Sequence, residues 1–283
     1  MSHTEALEHH RGFRPKKRLG QHFLVDPEIT KEIIARAGFG TSDLVLEIGP
    51  GLGALTLPVA RSVFHVVAVE KDGHLAELLG EKLSRSGITN VTIINRDILK
   101  WNLSELEDLG SGKIQVIGNL PYNISSPFLE KLVESRKLVS RAVLMFQLEV
   151  AKRLTASPGE KAYGAMSLLI RYHALSSILL EVSREAFYPR PKVDSMVLEL
   201  DFNMPYIQDS FGEAGFRKVV KGAFAHRRKT LLNSIQGSIP DWDREVLLKA
   251  MKTCGIDPGR RAETLHMDEF LCLSSKFDRN TGR

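Results

Sequence analysis

Short apolar runs alternate with amphipathic stretches along the first two-thirds of the chain. The runs are DLVLEI (43–48), HVVAVE (65–70), VTII (91–94), KIQVIG (113–118) and RAVLMF (141–146). Each is rich in Val, Ile or Leu and bounded by polar residues or glycine, which predicts strands buried on both faces. Between them, apolar positions recur at helical spacing near 27–38, 54–61, 72–86, 125–136 and 147–154. Strand and helix in turn predict an α/β, doubly wound, mostly parallel sheet with helices on both faces.

The pattern changes after residue 173. ALSSILLEVS (174–183) and SMVLELDF (195–202) are both strand-like, and the FYPRPKVD stretch between them leaves no room for a helix. An antiparallel pair joined by a proline-stiffened loop is expected. Beyond Pro205 no strand pattern is present, and 213–225, 228–236, 243–253 and 267–277 read as amphipathic helices. The expected organisation is a polar, basic start (1–20), an α/β domain (21–205) and a small all-helical domain (206–283).

Composition narrows the class. The chain has 283 residues, 43% of them hydrophobic, enough for one large core and a smaller module. No run of about 18 apolar residues is present. The N-terminus lacks an apolar signal core, and Glu5 and Glu8 argue against a transit peptide, so a cytoplasmic protein is expected. A monomer is expected too. The two cysteines, Cys254 and Cys272, fall in helical patterns and are expected to be buried free thiols. No CxxC or HExxH spacing occurs, and His9 and His10 belong to the polar start, so no metal is expected. The net charge is +5, and residues 206–283 hold 14 Lys/Arg against 10 Asp/Glu. Dense basic clusters lie at KKR (16–18) and HRRK (226–229). The imbalance is compatible with a nucleic-acid partner, although a basic cluster is also an ordinary solvated face.

The first strand runs into Glu47-Ile48-Gly49-Pro50-Gly51-Leu52-Gly53-Ala54. Glycines let a backbone turn sharply and approach a ligand, and the helix that follows offers unpaired N–H groups. At the C-terminal edge of a parallel sheet this is where nucleotides bind. The next strand ends in Glu70, whose carboxylate can accept from two ribose hydroxyls. The third ends in Asn95-Arg96-Asp97-Ile98, where Asp97 can accept from an adenine amino group and Ile98 can cover the ring. GPGLGA also satisfies the loose dinucleotide pattern, so these features suit NAD or S-adenosylmethionine alike.

The fourth strand ends in Gly118-Asn119-Leu120-Pro121-Tyr122-Asn123-Ile124. An adenine amino group is a poor nucleophile because its lone pair is delocalised into the ring. Acceptors that hold its N–H bonds draw the nitrogen toward tetrahedral geometry. The Asn119 side-chain carbonyl and the Leu120 backbone carbonyl are candidate acceptors. Pro121 stiffens the turn, and Tyr122 offers a face for a base to stack on. Asn suits the role because it accepts without titrating.

At this point the chain resembles, along nearly its whole length, the ribosomal RNA adenine dimethyltransferases, and within them the small-subunit (16S) branch. The segments that carry the resemblance are KKRLGQHFL (16–24), EIGPGLGALT (47–56), VEKD (69–72), RDIL (96–99), NLPYNISSP (119–127), FYPRPKVDS (187–195), AFAHRRKTLLN (223–233) and GIDPGRRAETL (255–265). The resemblance implies a Rossmann-like methyltransferase sheet, S-adenosylmethionine as cofactor, and two adjacent adenines in a hairpin near the 3′ end of small-subunit rRNA as substrate. It implies cofactor contacts from His22, Leu24, Gly49, Gly51, Glu70, Lys71, Asp97, Ile98 and Asn119. His22 stands where Asn is common, and its ring can still donate a hydrogen bond. The resemblance further implies that Phe187 packs against a flipped target base opposite Tyr122, alongside Asn119, Leu120 and Pro121. Arg227, Arg228 and Lys229 would hold rRNA phosphates.

Overall fold

The computed structural model describes residues 15–16, 19–109, 112–207, 212–239 and 242–278. Glu5, Glu8, His9, His10, Lys17 and Arg18 lie outside these residues. The chain divides into two compact units, but not by a single cut near residue 205. One unit holds residues 1–151 and 175–203; the other holds 152–174 and 204–283.

The first unit is built on strands β2 (Leu44–Ile48), β3 (His65–Glu70), β4 (Val91–Asn95), β5 (Ile114–Asn119), β6 (Val139–Gln147), β7 (Leu175–Val182) and β9 (Ser195–Asp201). Their order across the sheet is β4-β3-β2-β5-β6-β9-β7. β4, β3, β2, β5 and β6 pair in parallel, and β9 runs antiparallel to both of its neighbours. The antiparallel pairing of 175–182 with 195–201 is as the strand-like runs imply, and the reversed strand is the one inserted inside the sheet. The apolar runs reflect this burial: β2 is buried at every position. Val45, Val66, Ala68, Ile117, Val143 and Val197 point to one face and form a single core with Ile33, Val59, Leu79 and Leu83 from helices α1 (Pro27–Ala37), α2 (Thr56–Ala60) and α3 (Gly73–Arg85).

Local chemistry sets the helix ends. Asp26 caps α1 by accepting from the N–H groups of Glu28 and Ile29, with Pro27 at the first helical position and Gly38 in the left-handed conformation at the other end. Helix α4 (Ser125–Glu134) follows β5, and α5 (Leu148–Thr155) follows β6. One element has no signature in the apolar pattern. Phe23–Leu24 (β1) pairs antiparallel with Phe187–Tyr188 (β8), Phe23 opposite Tyr188 and Leu24 opposite Phe187. Two residues are too few for a periodicity, and only the fold brings them together.

The second unit is helical among its described residues: α6 (Ala165–His173), α7 (Glu213–Phe224), α8 (Leu231–Ser238), α9 (Arg244–Thr253) and α10 (Met267–Asp278). Its core joins Tyr163, Leu168 and Tyr172 to Phe216, Leu231 and Phe270. Tyr172 and Phe216 rings lie 4.6 Å apart, and the Tyr163 hydroxyl donates to the Leu265 carbonyl at 3.0 Å. That packing places 152–174 with the C-terminal helices although it precedes the last two strands in sequence. Helix α8 begins at Leu231, because Thr230 accepts from the Asn233 N–H as its cap and leaves residues 225–229 in a turn. The cysteines correct the sequence expectation: Cys254 and Cys272 are half-buried and joined in a disulfide, their Cα atoms 5.8 Å apart. Cys254 caps the end of α9, where the turn back into α10 carries it beside Cys272. No helix among the described residues is long and apolar enough to cross a membrane.

Candidate active site

Strand order reverses between β2 and β5, which leave the sheet centre toward opposite edges. In open α/β sheets, ligands enter the crevice beyond the carboxyl ends of such a pair. A cavity of about 270 Å³ lies there. It is lined by the residues singled out above from the 22–24 segment, the glycine loop (Gly53 excepted), the strand ends at 70–71 and 97–98, and the 119–122 turn. Phe187 is not among its lining residues. It is 4% exposed and belongs to the apolar core with Leu24 and Val197, whereas its neighbour Tyr188 is 45% exposed.

The glycine loop closes tightly under the N-terminal segment. Gly51 has φ +56°, and a Cβ there would sit 3.1 Å from the Phe23 ring. Only glycine meets both conditions without displacing the ring. The Gly51 N–H donates to Glu70 Oε2 at 3.1 Å, and the Asp72 N–H donates to Glu70 Oε1 at 2.8 Å. Both carboxylate oxygens are thereby fixed by backbone, and each keeps a lone pair for a further donor. Burial of Glu70 raises its pKa, and those same N–H bonds oppose the rise.

Glu47, at the start of the loop, is 1% exposed. Desolvation pushes its pKa up to about 8, with a further push from the nearby Glu70 and opposition from Thr56. Asp97 behaves differently. Burial works against its ionisation, but the Lys71 ammonium at 2.8 Å and the Leu99 N–H at 3.1 Å outweigh it and hold the carboxyl below its ordinary range. Lys71 and Asp97, read in sequence as separate cofactor contacts, are thus a bonded pair at one edge of the cavity.

The N-terminal segment is tied down by contacts that its sequence does not announce. Lys16 Nζ donates to Asp72 Oδ1 at 2.8 Å, Gln21 Nε2 donates to Asp72 Oδ2 at 3.2 Å, and the Lys16 N–H donates to Gln21 Oε1 at 2.7 Å. Asp72 also caps α3 through the His74 N–H. Lys82 is a further lining residue without a motif, its ammonium donating to the Leu52 carbonyl at 2.9 Å under the glycine loop.

Across the cavity, Asn119 Nδ2 donates to the His22 backbone carbonyl at 2.9 Å. This assigns the amide: with its NH₂ committed, Oδ1 is the atom left to accept. His22 Nδ1 meets the Pro189 carbonyl at 2.6 Å, so that ring nitrogen must carry the proton. The His22 and Tyr122 rings stack at 5.4 Å with a 27° interplanar angle, and the Tyr122 hydroxyl bonds Ser195 Oγ at 3.1 Å. One face of Tyr122 is therefore already covered by His22.

The basic cluster lies in the second unit. Arg227, Arg228 and Lys229 are exposed in the turn before α8. They are not equivalent: the Arg227 guanidinium donates to the Lys161 and Tyr163 carbonyls at 2.8 and 3.4 Å and lies 3.6 Å from Glu263.

A wholly parallel dinucleotide-binding sheet has no counterpart of the reversed β9, and hydride transfer has no use for an anchored amide acceptor. The fold and the cavity are those of a methyltransferase. More narrowly, the chain belongs to the ribosomal RNA adenine dimethylase family, whose model matches residues 12–279. A relative from Desulforapulum autotrophicum, ribosomal RNA small subunit methyltransferase A, is 48% identical over 261 residues, covering 92% of this chain and 90% of the relative. Among solved structures, a dimethyladenosine transferase from Plasmodium falciparum matches with TM-score 0.78 and 25% identity, covering 90% of this chain and 97% of that one. The 23S rRNA methyltransferase ErmE matches with TM-score 0.71 and 25% identity, covering 90% and 99% respectively.

Proposed function

We propose that this chain transfers methyl groups from S-adenosylmethionine to the exocyclic amines of two adjacent adenines in a hairpin near the 3′ end of small-subunit rRNA. Each would become N6,N6-dimethyladenosine, in a pre-ribosomal particle in the cytoplasm. The observation that carries the reading is the Asn119 amide, held by the His22 carbonyl so that Oδ1 is the oxygen left for a substrate amine. The similarity to small-subunit methyltransferase A relatives supports the choice of RNA.

The residues fit the cofactor. Glu70 has both oxygens fixed and a lone pair on each for ribose hydroxyls. Asp97 is an ionised acceptor for an adenine amino group, with buried Ile98 beside it. Glycine at position 51 allows close backbone approach. When bound, S-adenosylmethionine supplies an electrophilic methyl group. The protein's own work is on the amine. Asn119 Oδ1 and the Leu120 carbonyl accept its N–H bonds and favour the tetrahedral nitrogen of the transition state. Pro121 holds the two acceptors in one turn. Tyr122, fixed by Ser195 and His22, gives the base an edge of aromatic surface. As the nitrogen gains its fourth bond its protons become acidic, and water can take one, so no side-chain base is required.

Incubation with labelled S-adenosylmethionine and unmodified small subunits, followed by mapping of the labelled nucleotides, tests the proposal. Label confined to two adjacent adenines near the 3′ end is expected. Label on large-subunit RNA, or on another base, would overturn it.

A further inference from the structure

The proposed methyl transfer makes no use of the chain's two cysteines. Cys254 ends α9 and Cys272 lies on α10, both half-buried, and the bond between them closes a sequence separation of 18. In the cytoplasm, where the chain is proposed to act, the thiol pool keeps most cysteines reduced, and a disulfide that forms there is commonly reversible. The segment between the two sulfurs is held at a second point. The Arg260 guanidinium donates to both carboxylate oxygens of Glu269. Glu269 and Cys272 are three residues apart on α10 and therefore share a face. One face of one helix thus holds the segment twice, once covalently and once ionically.

The segment in turn holds the basic turn. The Arg260 carbonyl accepts from the N–H of Leu231, the first residue of α8, at 2.7 Å. An N–H at a helix start has no partner within its own helix, so this acceptor comes from outside. The Glu263 carboxylate lies 3.6 Å from the Arg227 guanidinium, and the Glu263 carbonyl accepts from the Gly159 N–H at 2.8 Å. Contacts inside one compact unit therefore run from the cysteine pair to residues 226–231.

We propose that Cys254 and Cys272 are a reversible redox modification site, and that their oxidation by a low-molecular-weight disulfide locks the 255–264 segment and, through it, the turn that carries Arg228 and Lys229. The step is thiol–disulfide exchange. The thiolate of one cysteine attacks a sulfur of the oxidant, and half of the oxidant leaves as a thiol. The other cysteine then attacks the mixed disulfide and expels the second half. One S–S bond forms in the protein and one breaks in the oxidant, which takes up two electrons and two protons. Reduction leaves the segment to its noncovalent contacts alone. The effect on the turn stands on these contacts; its effect on RNA rests on the role proposed for Arg228 and Lys229.

The full chain, equilibrated in glutathione buffers from reducing to oxidising and then alkylated and weighed, reads the first half. Both thiols should disappear together, with a midpoint inside the range. Hydrogen exchange reads the second half. On reduction the Leu231 amide should lose protection by roughly tenfold. The Val219 amide, in α7 of the same unit, should keep its protection and so report an intact fold. The double variant Cys254→Ser, Cys272→Ser should exchange like the reduced form at every ratio. A pair that stays in one state across the range, or Leu231 protection equal in the two forms, overturns the proposal. An equal loss at Val219 overturns it too, because the bond would then support the whole unit and not the turn. Unmodified small subunits should bind the oxidised form roughly threefold more tightly, with cofactor affinity unchanged. Exchange that responds while particle binding does not would leave the redox site standing and strike the RNA role of Arg228 and Lys229.

Discussion

The side-chain amide of Asn119 and the backbone carbonyl of His22 meet at 2.9 Å, although 97 residues separate them in sequence. The contact joins the segment over the cavity to the turn proposed to receive the substrate amine. Order in the first therefore holds the Asn119 side chain in the second.

Asn119→Ala should leave the fold intact, weaken cofactor binding modestly because the His22 carbonyl loses its donor, and cut the methyl-transfer rate far more. The acceptor matters most as the amine rehybridises, so loss of one preorganised dipole should cost roughly 10²–10³ in rate. Single-turnover kinetics at saturating cofactor, with mono- and dimethyladenosine separated by mass spectrometry, gives the number. A rate near that of the unsubstituted chain would remove Asn119 from the mechanism.

Glu70→Ala should weaken cofactor binding by roughly 1–3 kcal/mol, the range for hydrogen bonds to a charged group. The substitution also strands the N–H groups of Gly51 and Asp72 that Glu70 now accepts from. Thermal stability should therefore fall together with affinity, and calorimetry with a melting curve measures both. Unchanged affinity in folded protein would contradict the ribose assignment.

Asp72 sets an acid limit on order in the N-terminal segment. Burial opposes its ionisation, yet Lys16 and Gln21 hold its carboxyl below the ordinary range. A carboxyl with a lowered pKa stabilises the fold fully above its ordinary value, and that contribution is lost as pH falls through the lowered one. Protection of residues 19–24 against hydrogen exchange, taken relative to the intrinsic rate at each pH, should accordingly fall on acidification. Asp72→Asn should exchange fast there already at neutral pH. Equal protection in the two proteins at pH 7 would show that the contact does not order the segment.

Arg228 and Lys229 changed together to Gln should weaken binding to ribosomal particles and flatten its salt dependence, since fewer counterions are released. Cofactor affinity should stay unchanged. Arg227→Gln belongs in a separate experiment. Its guanidinium is spent on the Lys161 and Tyr163 carbonyls, so it should lower stability by about 1 kcal/mol. An unaltered salt slope in the double variant would mark the turn as a solvated face.

The parallel strands and their loops were legible because burial on both faces leaves an unbroken apolar run and because glycines and acids recur at the ends of those runs. Glu70, Asp97 and Asn119 could be placed at one sheet edge for that reason. What the sequence hid depends on contacts between distant segments. The segment around Tyr163 and Tyr172 looks like a continuation of the α/β pattern until its partners, Phe216 and Phe270, are known. Cys254 and Cys272 sit in ordinary helical patterns, and only the turn between α9 and α10 makes them neighbours. For Phe187 the resemblance implies packing against a target base. Pairing with Leu24 turns it into the core.

The two-stranded ribbon of Phe23–Leu24 with Phe187–Tyr188 has a consequence for the order of events during synthesis. The N-terminal segment leaves the ribosome first but has no strand to pair with until residue 188 has emerged. At about 5–20 residues per second, that is a wait of roughly 10 to 30 seconds. The sheet strands β2 to β5 can assemble in the interval, so the nascent chain should hold an open nucleotide crevice before it holds a covered one. The cover is then the last part of the cavity to form, and one of the first parts of the chain to be made.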